Sequence, residues 1–139
     1  MVGSRGPGKG EPDDALNALS SKVIGAALEV HRVLGPGFIE SVYEEALTIE
    51  LEMRGIPCMS QQPIAVTYKG RQVGQSRLDL LVADALVVEL KAVDALLPIH
   101  TAQLLSYLKA TGHKLGLLIN FNVPLLRDGV RRVILKTPD

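Results

Sequence analysis

Two acids and a lysine near the middle of the chain, Asp79, Glu89 and Lys91, set the chemical question. If Asp84 centres a tight turn between two strands, Asp79 faces Glu89 and Arg77 faces Lys91, with opposed Cβ atoms about 4.5–5.5 Å apart. Strand side chains alternate, so Arg77, Asp79, Leu81, Val87, Glu89 and Lys91 share one face, and Leu78, Leu80, Val82, Leu86, Val88 and Leu90 the other. The second face is wholly apolar and belongs to a core. The first becomes charged away from the turn, which places two carboxylates at the edge of a covered surface. Like charges opposed there repel, and burial adds to the cost, so a cation is expected between them. A divalent ion that takes hard oxygen ligands, Mg²⁺ or Mn²⁺, fills that place. The all-protein alternative is an ion-pair cluster with Arg77 and Lys91.

Other polar residues have the spacing to join such a site. Gln103 and Tyr107 are four apart and His100 lies one turn earlier, so a helix puts them on one side. Glu40 falls in the first turn of another helix, where the dipole alone favours a carboxylate. Tyr43 follows one turn on, as a packing residue. Asp14 reads as a helix N-cap and Cys58 as a plain buried or loop thiol.

The elements that position these residues follow from periodicity. Leu16, Leu19, Val23, Ile24, Ala27, Leu28, His31 and Leu34 form one stripe of a long helix that Gly35-Pro36-Gly37 stops. A second helix runs from about Ile39 to Arg54, with Ile39, Val42, Tyr43, Ala46, Leu47 and Leu51 inward. Strands are expected at Ile64–Tyr68, Arg71–Val82 and Leu86–Val93, the first two joined by a Lys69-Gly70 turn. Pro98 opens a helix to Thr111, Leu115–Phe121 reads as a strand covered on both faces, and Val130–Leu135 closes the series. The helix after the third strand leads to a parallel fourth. Residues 1–12 are read as a flexible tail and 13–139 as a single α/β domain.

Composition bounds the partners. The 139 residues carry 15 basic and 15 acidic side chains, 47% are hydrophobic, and there is one cysteine. A disordered chain and a cysteine zinc cluster are excluded, and a lone thiol suits a reducing cytoplasm, the expected location. No apolar stretch approaches the ~20 residues of a membrane span, so no membrane partner is expected. The neutral total conceals an asymmetry: from Glu11 to Glu52 the net charge is −7, and from Arg54 to Lys136 it is +6. If three of the acids serve a cation, the basic residues of the second part are expected to flank the site, with the remaining acids of the two N-terminal helices turned elsewhere.

The residues also form a recognisable pattern. Gly37-Phe38-Ile39-Glu40-Ser41-Val42-Tyr43 matches the motif that names the GxxExxY family of small bacterial and archaeal proteins. Arg77-Leu78-Asp79, Glu89-Leu90-Lys91 and Gln103-Leu104-Leu105-Ser106-Tyr107 resemble the signature of the PD-(D/E)XK nuclease superfamily in its RecB-like form with a trailing QxxxY, Leu78 standing where the nominal motif has proline. The resemblance implies a restriction-endonuclease-like αβββαβ core with an extra N-terminal helix and a C-terminal strand. It implies a Mg²⁺-dependent nuclease, with Asp79 and Glu89 as metal ligands, the Leu90 carbonyl as a further oxygen, and Glu40 completing the acidic shell. Lys91 would orient or activate the attacking water and stabilise charge on the phosphate, Gln103 would position Lys91 or the water, and Tyr107 would support that helix face or touch the substrate. Arg77, His100 and Tyr43 stand as candidate substrate contacts. The implied partner is nucleic acid, DNA ahead of RNA; the alternative is an inactive nuclease-fold module that binds nucleic acid or a regulatory protein.

Overall fold

A computed structural model describes residues 11–136. The tail expected over residues 1–12 lies outside the described residues apart from Glu11 and Pro12. Helix α1 spans Asp14–Leu34. Its N-cap is Asp13 rather than Asp14: Asp13 Oδ1 accepts from Leu16 N–H at 2.8 Å, and Asp14 lies in the first turn, where its charge complements the helix dipole. Helix α2, Glu40–Met53, follows the Gly-Pro-Gly break. Its N-cap, Ile39, is 70% exposed instead of inward, because the residue before the first turn points away from the buried stripe of Tyr43, Leu47 and Leu51. Leu28, also expected inward, is 45% exposed; Ala26, Ala27 and Val30 occupy the centre of the α1 stripe.

Strands β1 (Cys58–Tyr68), β2 (Arg71–Val82), β3 (Leu86–Lys91), β4 (Leu115–Asn120) and β5 (Val130–Ile134) form one sheet in the order β1-β2-β3-β4-β5. Only β3 and β4 are parallel, joined through α3, Pro98–Thr111. Mixed α/β architecture with N-terminal helices, as expected of a restriction-endonuclease-like fold, is what the chain adopts. Strand β1 starts six residues earlier than its expected Ile64. Polar side chains and Pro63 obscure that half, and both are tolerated because β1 is an edge strand.

The sheet is covered on both faces. Helices α1 and α2 close one face over Leu80, Val82, Leu86, Val88, Leu90, Leu117 and Ile119. Helix α3 closes the other over Leu78, Leu81, Val87 and Leu118. The seat of α3 is close: a Cβ on Gly116 of β4 would lie 2.9 Å from a Leu104 methyl. Among the described residues no helix is long and apolar enough to cross a membrane.

Candidate active site

The site grows from a fork between β2 and β3. Ala83 and Asp84 both have positive φ, 51° and 53°, and with Ala85 form a three-residue connection that sets the pairing Val82↔Leu86, Leu81↔Val87 and Leu80↔Val88. There the ladder ends, although β3 stays paired to β4 as far as Lys91↔Asn120. Beyond Leu80 the alternation of β2 also slips: Leu78 packs under α3 with Leu81, on the face opposite Leu80 and Val82, where strict alternation would have kept it with them. Asp79 sits at the switch. Across from it on β1, Gln61 has φ 53°, and the β1–β2 pairing skips this one position between Ser60↔Leu80 and Gln62↔Leu78.

The backbone donors released by the fork are taken up by the two carboxylates. Asp79 N–H donates to Glu89 Oε1 at 3.0 Å and Leu90 N–H donates to Asp79 Oδ2 at 2.8 Å. Asp79 and Glu89 therefore meet as expected, but through each other's strands and not as a ladder pair. Arg77 does not face Lys91; it pairs with Pro63 on β1 and is exposed. The ion pairs among the described residues are Arg32–Glu29 and Arg54–Glu50, so the four-residue cluster of Arg77, Asp79, Glu89 and Lys91 does not form. Glu89 is 5% exposed. Burial, and after it the Asp79 charge, push its carboxyl up to about 8.

Helix α3 supplies the other wall. Lys91 Nζ donates to Gln103 Oε1 at 3.4 Å, and Ser76 Oγ donates to the Tyr107 hydroxyl at 3.0 Å. His100 serves the helix instead: its Nδ1 accepts from Leu97 N–H at 3.0 Å, completing the N-terminal cap. From α2 comes a residue that motif reading missed. Glu44 accepts from Gln61 Nε2 at 2.8 Å. Burial pushes its carboxyl up and the Gln61 bond opposes this, with the charges of Asp79, Glu45 and Glu40 adding to the rise. Its signal in the sequence was position, one turn after Glu40 on the same side of the helix. Thus an acid of α2 turns toward the site, contrary to the expected segregation. Glu40 itself is exposed and lines an open cleft of about 590 Å³ with Phe38, Ser41, Ala92 and Asn122.

Two buried groups brace this arrangement. Tyr43 is fully buried and stacks on Phe121 at 4.5 Å; its hydroxyl donates to Gly35 O at 2.6 Å and accepts from Phe38 N–H at 3.1 Å. That leaves it no face for a substrate, and its part is to pin the loop that leads into Glu40. Asn120, also missed and 1% exposed, grips Val93 just past β3: its Oδ1 accepts from Val93 N–H at 3.1 Å and its Nδ2 donates to Val93 O at 2.9 Å. This clamp explains why β3 ends at Lys91 and not at the expected Val93.

As a donor set, the fork offers two carboxylates, each with one oxygen engaged by a backbone N–H and the other turned to no backbone donor. Among the described residues no three His, Cys, Asp or Glu side chains gather close enough to hold an ion on their own. Two carboxylates suit Mg²⁺, which keeps most of its waters and takes one or two protein acids.

The family model of the PD-(D/E)XK nuclease superfamily matches residues 17–133. A solved structure, the crystal structure of SSO0001, aligns with a TM-score of 0.49 at 18% identity, covering 90% of this chain and 62% of that one. No curated protein matches the sequence. With the match running from α1 to β5, the chain belongs to the PD-(D/E)XK nuclease superfamily.

Proposed function

We propose that the protein is a Mg²⁺- or Mn²⁺-dependent nuclease of the GxxExxY type that hydrolyses phosphodiester bonds of DNA. One observation carries the reading: buried Glu89 and half-buried Asp79 meet with no basic side chain bonded to either, beside a lysine held by a glutamine of the facing helix. Asp79 and Glu89 would hold the ion, and Glu44 would add negative charge from α2. The ion supplies the Lewis acidity that makes water nucleophilic at neutral pH and offsets charge on the phosphoryl group. Lys91 brings a second positive charge to the same phosphoryl oxygens. Gln103 fixes the lysine through its amide oxygen, and Ser76 with Tyr107 ties β2 to the α3 wall.

The test is a metal titration followed by thermal melting, run beside a panel of single-stranded DNA, duplex DNA and RNA. Mn²⁺ should raise the melting temperature, and Glu89→Gln or Lys91→Ala should abolish cleavage with the fold intact. Absence of both metal binding and cleavage would refute the enzyme reading. A second reading has its own support, since both carboxylates already satisfy backbone donors and so have a structural use. An inactive module that binds nucleic acid would then retain a salt-dependent shift of labelled DNA.

A further inference from the structure

The β1–β2 hairpin outruns the body of the protein. Strand β3 pairs with β2 only at Leu80, Leu81 and Val82, whereas β1 and β2 continue together to Tyr68↔Arg71. Helix α3 covers the base of this extension through Ile64 and Tyr107. From Ala65 to Gln75 every residue is exposed except half-buried Gly74. Five residues of extended chain reach roughly 16 Å beyond that base. The arm ends in a two-residue turn, Lys69 and Gly70, both with positive φ, and the pairing slips between Val66 and Thr67. Such a bulge increases the twist of a free ribbon.

The chemistry of the arm is one-sided. Between Glu52 and Asp79 there is no acid, while Lys69, Arg71 and Arg77 lie on the hairpin. Tyr68 is 63% exposed, and the Lys69 ammonium lies 5.4 Å from the centre of its ring. Alternation from Ile64 puts Tyr68, and Arg71 opposite it, on the face that carries Ser76 and Tyr107 at the site. An exposed ribbon with basic and amide side chains, rooted where Asp79 leaves the sheet, matches a polyanion that passes the carboxylate fork.

We infer that the β1–β2 arm is a clamp for the nucleic-acid backbone: Lys69 and Arg71 contact phosphates, and Tyr68 lies against the sugar-phosphate edge or an unpaired base. Its reach corresponds to four or five steps of a duplex at about 3.4 Å each. The inference rests on the nuclease reading and adds to it where the substrate is gripped.

The experiment is binding of a fluorescent 20-base-pair DNA duplex by anisotropy across a range of salt, in EDTA and again in Ca²⁺, for the full chain and for Lys69→Ala/Arg71→Ala. Both replaced side chains are exposed, so the melting temperature should be unchanged. The double variant should bind about tenfold or more weakly at low salt, and the slope of log K against log salt should fall by about 2, one for each phosphate no longer neutralised. Tyr68→Ala should weaken binding without altering that slope. Equal affinity and slope in the wild type and the double variant would overturn the arm and leave the nuclease reading standing. No binding by the wild type in either buffer would overturn the clamp. A dimer in gel filtration that the double variant abolishes, with DNA binding unaffected, would make the arm a self-association surface and overturn the clamp.

Discussion

Glu89 is held in two ways that oppose each other. Its Oε1 is wanted by the Asp79 N–H, which favours the ion, but burial and the Asp79 charge favour the neutral acid, and the acid wins, with its proton held up to about 8. The folded protein therefore binds a proton that the unfolded chain, titrating at 4.5, has already released. Stability should fall as pH rises from the unfolded value toward the folded one, the reverse of a salt-bridged carboxylate. Glu89→Gln keeps an oxygen for the Asp79 N–H and removes the charge. It should flatten this slope and stabilise the metal-free protein at pH 8, on the order of 1–3 kcal/mol. Calorimetry at pH 5, 6.5 and 8 checks it; parallel profiles for the two proteins would refute it. Because the cation competes with that proton, Mn²⁺ should raise the wild-type melting temperature more at pH 8 than at pH 6. Gln61 offers a second test. Gln61→Ala takes the hydrogen bond that opposes the upward push on half-buried Glu44, so less negative charge faces the ion and Mn²⁺ affinity measured by calorimetric titration should drop.

At the scale of elements, the apolar pattern located the three helices and five strands: the helices bury a stripe, and β3 and β4, covered on both faces, are apolar almost throughout. The single turn at Asp84 was enough to set the β2–β3 register. What alternation could not reveal is the slip at Asp79: Leu78 is apolar on either side of the sheet, so its move to the α3 face leaves no trace in the pattern. The early half of β1 was hidden because an edge strand with one face in water need not look apolar. The Glu44–Gln61 bond was equally illegible, since its partners are 17 residues apart and one depends on a local backbone twist. Gly116 looked like an ordinary strand residue, yet it sets the depth of α3. In Gly116→Ala the new methyl meets Leu104 in a closed core, at a cost of about 1–3 kcal/mol. The helix must shift, and Gln103, adjacent to Leu104, moves with it, so cleavage should fall more than stability alone explains. Combining it with Leu104→Ala should give a loss of stability smaller than the sum of the two single losses, because the methyl then fills part of the vacated space. Urea unfolding of the four proteins measures that coupling.

For the whole molecule, a net charge of zero carries little information, and its distribution over the sheet carries more. The acidic and basic parts of the chain do not simply become two faces. Glu44 of α2 turns toward Asp79, and the basic residues are dispersed: Lys91 lies on the central strand at the site, Arg54 at the end of α2, Lys109 on α3, and others at opposite edges of the sheet. Lys69 and Arg71 lie on the β1–β2 arm, whereas Arg131 and Arg132 lie on β5, where Arg132 is hydrogen-bonded to Asn17 of α1. The expectation that all the bases of the second part would flank the site is therefore not met: Arg54 pairs with Glu50 on α2, and Arg131 and Arg132 lie on β5. Five strands leave four spacings of about 4.8 Å between β1 and β5, roughly 19 Å. That is about two Debye lengths at physiological ionic strength, so charge on one edge is largely screened from a ligand on the other. Arg131→Ala should accordingly leave DNA affinity within about twofold of wild type and the salt slope unchanged, in contrast to Lys69→Ala/Arg71→Ala. If instead the β5 variant lowers the slope by about one, the backbone crosses the whole sheet, and the grip belongs to both edges.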